Sequence, residues 1–186
     1  HGYWFLAALS RSTGSTNWVR TASSTVDHGA DGYDVSVGRN GQIHVAGSMA
    51  GTVTTDGGTV LTGNSDADIS IARFNRDGTA VWFDRQGGTD DEMALTIAAV
   101  GGGHVLTGGW YEDGLTLGSN AYPGSDGTNL FTASLTDPVW SIVSNNPARF
   151  AQPGPFCSGG ASVDLNNFLS DHAEAVVASS NISAPL

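Results

Sequence analysis

Carboxylates are the most concentrated chemical resource in this chain. Asp66 and Asp68 stand two residues apart, Asp90, Asp91 and Glu92 run consecutively, and Glu112–Asp113 directly follows the aromatic pair Trp110–Tyr111. Asp66, Asp68, Asp90, Asp91 and Glu92 offer several hard oxygen donors within short loops, the ligand type that Ca²⁺ takes, and are the candidate metal set. Trp110, Tyr111, Glu112 and Asp113 are the candidate ligand set, because an aromatic beside carboxylates can stack on a sugar and hydrogen-bond it. The same aspartates equally suit turn capping and the acceptance of loop N–H bonds, which requires no ligand. Neither an EF-hand loop nor a Gly-Gly-x-Gly-x-Asp repeat is present. Acid pairs can cleave glycosidic bonds only where one acid has a raised pKa, and that depends on geometry rather than abundance. Nucleophile-elbow, zinc-protease, phosphate-loop and dinucleotide motifs are all missing, so no catalytic residue is assigned.

Composition narrows the setting. At 186 residues the chain has the length of one domain with a sizeable core. Its 26 glycines against 6 prolines point to many tight turns between short strands. Acids outnumber bases 18 to 7, every base is an arginine, and the net charge is −11. Such a chain repels phosphate backbones, which excludes nucleic acid as the expected partner. No run reaches the roughly 20 apolar residues that a membrane-spanning helix needs. The apolar stretch at residues 4–9 is too short for a signal-peptide core and lacks a basic leader. A start at His1 rather than methionine is the expected mark of a processed protein or a piece of a longer one. Cys157 is the sole cysteine and is expected to be an inert thiol; Asn181-Ile-Ser183 is a glycosylation triplet.

Alternation and turn residues place the elements that must hold these groups. Strands are expected at 3–10, 17–22, 33–37, 42–47, 69–74, 80–85, 94–100, 104–108, 130–135 and 139–143. Residues 49–65 read as a long loop with slight extended character at 59–62, and 145–168 as an irregular insert. The run 171–178 reads as a further acidic loop and strand, with a helix over 165–178 as the competing reading.

The elements recur. Trp18, Trp82 and Trp140 follow turns at separations of 64 and 58, while Phe74 matches Leu135 and Gly47 matches Gly108 at 61. About 60 residues carrying four short strands is the scale of one propeller blade with long loops. The carriers Asp68 to Phe74, Asp77-Gly78, Trp82, Gly87-Gly88, Asp91, Ala94 to Ala98, Gly102 and His104 to Gly108 resemble the seven-bladed β-propeller (SBBP) repeat family over about residues 3–143. Arg73 stands where that family commonly has lysine.

The resemblance implies an all-β fold of propeller-like, four-stranded antiparallel blades, about two full and two partial, in a single repeat-built domain. The expected divisions are a partial blade at 1–26, blades at 27–89 and 90–146, the insert at 147–168, and a partial blade at 169–186. Antiparallel topology would gather most acids on one face, among them Asp27, Asp31, Asp56, Asp126, Asp171 and Glu174. His28 and His172 would share that face, His44 and His104 would be packing features, and the three repeated tryptophans would pack between blades. The expected function is a secreted or surface-exposed scaffold or protein-interaction module, with protein partners or further copies completing the ring. A glycan-binding module and a divalent-cation-dependent propeller hydrolase are the alternatives.

Overall fold

The computed structural model describes residues 2–27, 29–64, 66–101, 103–136 and 139–146. All lie in one compact unit, His1–Phe150; the second unit, Ala151–Leu186, contains Cys157, the expected strand or helix before 178, and the glycosylation triplet, which therefore lie outside the described residues.

The described chain is all-β. Its strands are β1 (Tyr3–Leu9), β2 (Thr16–Ser24), β3 (Ala30–Val37), β4 (Ile43–Met49), β5 (Thr52–Thr55), β6 (Val60–Thr62), β7 (Asp68–Phe74), β8 (Ala80–Gln86), β9 (Glu92–Gly101), β10 (His104–Leu117), β11 (Asn120–Thr136) and β12 (Val139–Asn146). They form three antiparallel sheets of four strands, ordered β1-β2-β5-β6, β3-β4-β7-β8 and β9-β10-β11-β12. In the second sheet β3 and β4, and likewise β7 and β8, are joined by short glycine turns at 38–41 and 75–78; Gly41 and Gly78, and Gly101 and Gly103 between β9 and β10, have positive φ.

Sheets stack through their faces. Side chains alternate along a strand, so each sheet presents two faces. Trp4 and Leu6 of β1 and Trp18 of β2 pack on Ile43, Val45, Ala72 and Phe74 of the second sheet. The opposite face of the second sheet, with Ala46, Ile69 and Ile71, packs on Ala94, Ile97, Val105, Phe131, Ala133 and Leu135 of the third. The central strand β4 is buried along its whole length, the consequence of a neighbour on both faces and both edges. Side chains of β3 also bind the backbone of β9: Ile97 N–H donates to Asp34 Oδ2 (2.8 Å) and Ala99 N–H to Ser36 Oγ (2.9 Å).

The expected loop at 49–65 is instead a hairpin that leaves its own sheet. Strand β5 pairs with β2, Val53 opposite Ser24 and Thr55 opposite Ala22, so the first sheet gains two outer strands from between β4 and β7. Buried Val53 joins Ala22, Ala30 and Met49 in a small core there. The corresponding segment of the third sheet is the extension of β10 and β11, with Gly114 to Leu117 opposite Pro123 to Asn120. It too reaches toward the preceding sheet: Leu115 and Leu117 are buried in the shared core, and Gly118 N–H donates to Gln86 Oε1 of β8 (2.6 Å).

Two repeat matches shift once the pairing is known. Gly47 corresponds to Gly109 rather than Gly108, because each faces a β-bulge whose extra residue is Tyr33 in β3 and Leu95 in β9. A Cβ would lie 1.9 Å from the Asp31 carbonyl oxygen at Gly47 and 1.8 Å from that of Met93 at Gly109. Trp18 stands opposite Ala8 and Trp82 opposite Arg73, yet Trp140 stands opposite Leu135, one residue out of phase. The pleat therefore turns Trp140 back toward the second sheet, where its Nε1–H donates to Asp84 Oδ2, while Trp18 reaches forward to the Arg76 carbonyl (3.2 Å). All three still pack between sheets.

The bulge contacts leave no room for a methyl group. Gly109→Ala, and independently Gly47→Ala, is expected to cost roughly 2 kcal/mol or more of unfolding free energy by denaturant titration. An unchanged midpoint in both variants would mean that the backbone can move aside.

Candidate functional site

The candidate metal residues converge where the second sheet meets the third, and the means of their convergence is backbone bonding between loops. Glu92 N–H donates to the Ala67 carbonyl (2.6 Å) and Ala67 N–H returns to Asp91 Oδ1 (2.9 Å). Asn64 Nδ2–H donates to the Gly88 carbonyl (3.0 Å), and Glu112 N–H to the Asp91 carbonyl (3.0 Å). Three connections thus meet: the one before β7, the one between β8 and β9, and the extension of β10.

At the centre are two carboxyl groups. Asp68 is 1% exposed and Glu92 0%. Asp68 Oδ1 is ion-paired to Arg85 Nη2 at 2.7 Å, and Oδ2 accepts Asn64 N–H at 3.1 Å. Gly87 and Gly88 pass directly over the pair. A Cβ on Gly87 would lie 2.2 Å from Asp68 Oδ1 and 2.6 Å from Glu92 Oε2; one on Gly88 would lie 2.7 Å from Glu92 Oε1 and 2.3 Å from the Gly114 carbonyl oxygen. The Gly-Gly step is therefore a requirement of close approach.

Glu92 differs in kind from its neighbours. Neither of its carboxyl oxygens makes a hydrogen bond of ordinary geometry. Burial pushes its pKa up to about 8, helped by the nearby charges of Asp68 and Asp90 and only partly opposed by the Gly88 backbone N–H and the Arg85 guanidinium. The direction of the shift favours the protonated form. A raised carboxyl is what a glycosidase acid needs, but this one has no exposed surface, so a substrate would have to displace the Gly87-Gly88 backbone to reach it.

The position is special within the repeat. Met49 of the second sheet has Ala30 and Asp68 as neighbours, and Tyr111 of the third has Glu92 and Asn129. Asp68 and Asn129 do the same work, each accepting the N–H of the residue four earlier, Asn64 and Ser125. Ala30 and Glu92 do not, so the blade frame itself has no need of an acid at 92.

The remaining candidates are distributed differently. Asp66 is exposed beside this junction, and Asp90 is half-buried with its Oδ2 accepting from Thr89 Oγ1. With Asp68 and Asp91 engaged by protein donors, no group of three or more His, Cys, Asp or Glu among the described residues is placed to hold a metal ion. Trp110 to Asp113, expected in a loop, belong to β10. Trp110 and Tyr111 consequently point to opposite faces: Trp110 is half-buried, whereas Tyr111 is buried with its hydroxyl at 3.5 Å from the Pro123 carbonyl. They do not form one aromatic platform. Asp113 occupies the left-handed region at φ 51, where the β10 extension bends.

Arg85 was not among the sequence candidates. Its signal was available in strand order: β8 is the neighbour of β7, and Arg85 stands opposite Ser70, diagonal to Asp68. No protein-family model matches the chain, and no curated protein matches it. No helix among the described residues is long and apolar enough to cross a membrane.

The raised acid fixes a pH dependence with a definite sign. A carboxyl whose pKa rises from 4.5 to about 8 on folding favours the folded state fully below pH 4.5 and loses that contribution as pH rises to about 8. Glu92→Gln keeps the shape of the neutral acid and removes its titration. Thermal unfolding should therefore show the variant gaining on the wild type steadily across that interval; parallel pH profiles would show that Glu92 ionises freely in the fold.

Proposed function

We propose that this chain is a β-propeller scaffold of the SBBP-repeat type that acts by binding further blades, and that the blades it binds belong to a second copy of itself. The observation that carries this reading is the outer face of the first sheet. Leu9, Phe74 and Leu135 occupy the same place near the ends of β1, β7 and β11, yet Leu9 is 58% exposed while Phe74 and Leu135 are 1% exposed. Phe5 shares the face of Leu9 and is 75% exposed, whereas Phe131, its counterpart in the third sheet, is 3% exposed. Val19, opposite Ala7, extends the same apolar surface.

Phe74 and Leu135 are covered because a preceding sheet lies over them. Phe5, Ala7 and Leu9 are the same type of blade interface without its cover. The complementary half exists on the same chain: the third sheet's far face carries exposed Leu130 with half-buried Leu106 and Trp110. A surface that mates with a different surface of the same molecule associates head to tail, which closes into rings when the rotation permits. This also gives Trp110 a role in docking protein rather than sugar. Strand β1 lies at the edge of its sheet, and a strand edge favours the same kind of partner.

Sedimentation equilibrium of the intact chain tests the reading. A mass above the monomer is expected, falling to the monomer in Phe5→Asp/Leu9→Asp and in Trp110→Ala/Leu130→Asp. A wild type that is monomeric at high concentration would overturn self-docking, and retained glycan binding in Tyr111→Phe but not in Trp110→Ala would move the assignment to a lectin.

A further inference from the structure

The oxygens of Glu92 face other oxygens. Its Oε2 and Asp68 Oδ1 both lie within 2.6 Å of the point where a Cβ on Gly87 would stand. Its Oε1 and the Gly114 carbonyl oxygen share the corresponding point beside Gly88, at 2.7 and 2.3 Å. The cation that reaches Glu92 is Arg85, and Arg85 Nη2 is already ion-paired to Asp68 Oδ1 at 2.7 Å. With a proton, such a carboxyl is neutral and has a donor to offer its acceptor neighbours. Without one, it is a second negative charge beside Asp68, cut off from water.

The cover over this pair is lightly held. Residues 87–90 connect β8 to β9, and Gly87 and Gly88 have no side chains to anchor them. Asn64 Nδ2–H donates to the Gly88 carbonyl at 3.0 Å, while the bond from Thr89 Oγ1 to Asp90 Oδ2 stays within the segment. Firm attachment begins one residue later. The Asp91 carbonyl accepts Glu112 N–H, Asp91 Oδ1 accepts Ala67 N–H, and Glu92 N–H donates to the Ala67 carbonyl. From this arrangement we infer that residues 87–90 are a pH-sensitive strap, closed over Glu92 in acid and released as Glu92 gives up its proton. The equivalent position in the second sheet is Ala30, which has no proton to lose.

The sign follows from what each state does to the carboxyl. Under the closed strap, burial first and then Asp68 and Asp90 push its pKa from 4.5 up to about 8, against the Gly88 N–H and Arg85. Under a lifted strap, Glu92 meets water and returns toward 4.5. The open form therefore gains on the closed form by about tenfold per pH unit between those two values, the effect of one proton, and levels off above. Asp68 of β7 and Arg85 of β8 face Glu92, Asp90 approaches along the strap, and Tyr111 of β10 stands opposite it in register. Burial pushes the Tyr111 phenol up from 10.0, beyond the interval in which the strap responds. Asp66, Asp91, Glu112 and Asp113 are the charged groups of the adjoining connections. This inference does not depend on how copies of the chain associate.

Amide hydrogen exchange of the intact ¹⁵N-labelled chain across that pH interval is the test, each rate divided by that of an unstructured amide at the same pH. Opening at the Ala67 and Glu92 N–H groups, the first anchors beyond the strap, is expected to rise about tenfold per pH unit. Ile97 and Ala99, whose N–H groups bind Asp34 and Ser36 further along β9, should hold steady. That comparison lies within one wild-type chain and needs no variant to fold. In Glu92→Gln the rise should vanish, and in Asp68→Asn, which removes the like charge, it should level off at a lower pH. A flat wild-type profile, or an equal rise at Ile97 and Ala99, would overturn the strap. So would a rise that survives in Glu92→Gln or a plateau unmoved in Asp68→Asn.

Discussion

The burial of sheet faces against one another is the interaction on which the rest of this structure depends. A four-stranded sheet built from Val, Ile and Ala at alternating positions has two apolar faces, and each needs a cover. The second sheet has both, which is why β4 is buried from Ile43 to Met49 without a polar face. Its His44 and Ser48 are tolerated because they sit at that strand's two ends, against the turn-side cavity and beside Tyr33 respectively. The first and third sheets each have one cover among the described residues; Phe5, Leu9 and Val19 on the first and Leu130 on the third are exposed, as are Val35 and Val37 on the edge strand β3 of the second.

Stacking alone would leave neighbouring sheets free to slide, and the chain prevents this with connections that cross between them. The β5–β6 hairpin belongs to the second sheet by sequence and to the first by pairing. The extension of β10 and β11 repeats the move with a single hydrogen bond to Gln86 and buried Leu115 and Leu117. From the other direction, Trp18 and Arg20 of the first sheet hold the second sheet's 76–78 turn, through the Arg76 carbonyl at 3.2 Å and the Gly78 carbonyl at 2.7 Å. At some points these crossings force backbone against another chain segment, and glycine stands there. Gly78 lies beneath the Trp18 ring, and Gly87 and Gly88 lie over Asp68 and Glu92.

Much of this was legible in the sequence, and the exceptions have identifiable causes. Turn glycines and alternating strands gave the sheets, since period-two patterning reports directly on a two-faced strand. The hairpin at 52–62 escaped because Thr and Gly dominate it and its one buried apolar side chain, Val53, packs on a different sheet from its sequence neighbours. The continuation of β10 through Trp110 to Leu117 escaped because acids and Gly114 interrupt it; their unfavourable positions are absorbed by a bulge between Glu112 and Gly114. Trp140 illustrates a different limit. Its place after a turn suggested equivalence with Trp82, but a one-residue change in pairing reverses the face, and only register reveals that. For the site, sequence grouped Asp68, Asp91 and Glu92 through loop equivalence and offered them to a cation. It could not show that Arg85 and loop N–H groups engage both oxygens of Asp68 and the Oδ1 of Asp91.

What the repeat does not explain is the most informative about function. The frame is satisfied by a small residue at position 30 and by a short polar side chain at 68 or 129, so a fully buried glutamic acid at 92 is an addition to it. The same junction carries His44 and His104 at its turn end, beside Asn40 and Gln42. One interface therefore holds a desolvated acid at one end and a cluster of donors at the other. A uniform blade-to-blade contact, which only has to exclude water, would need neither. Apolar side chains of the same volume would cost less than a buried carboxyl with so little compensation. Stacking alone does not require that pattern, and it is here that the described chain departs from its own repeat.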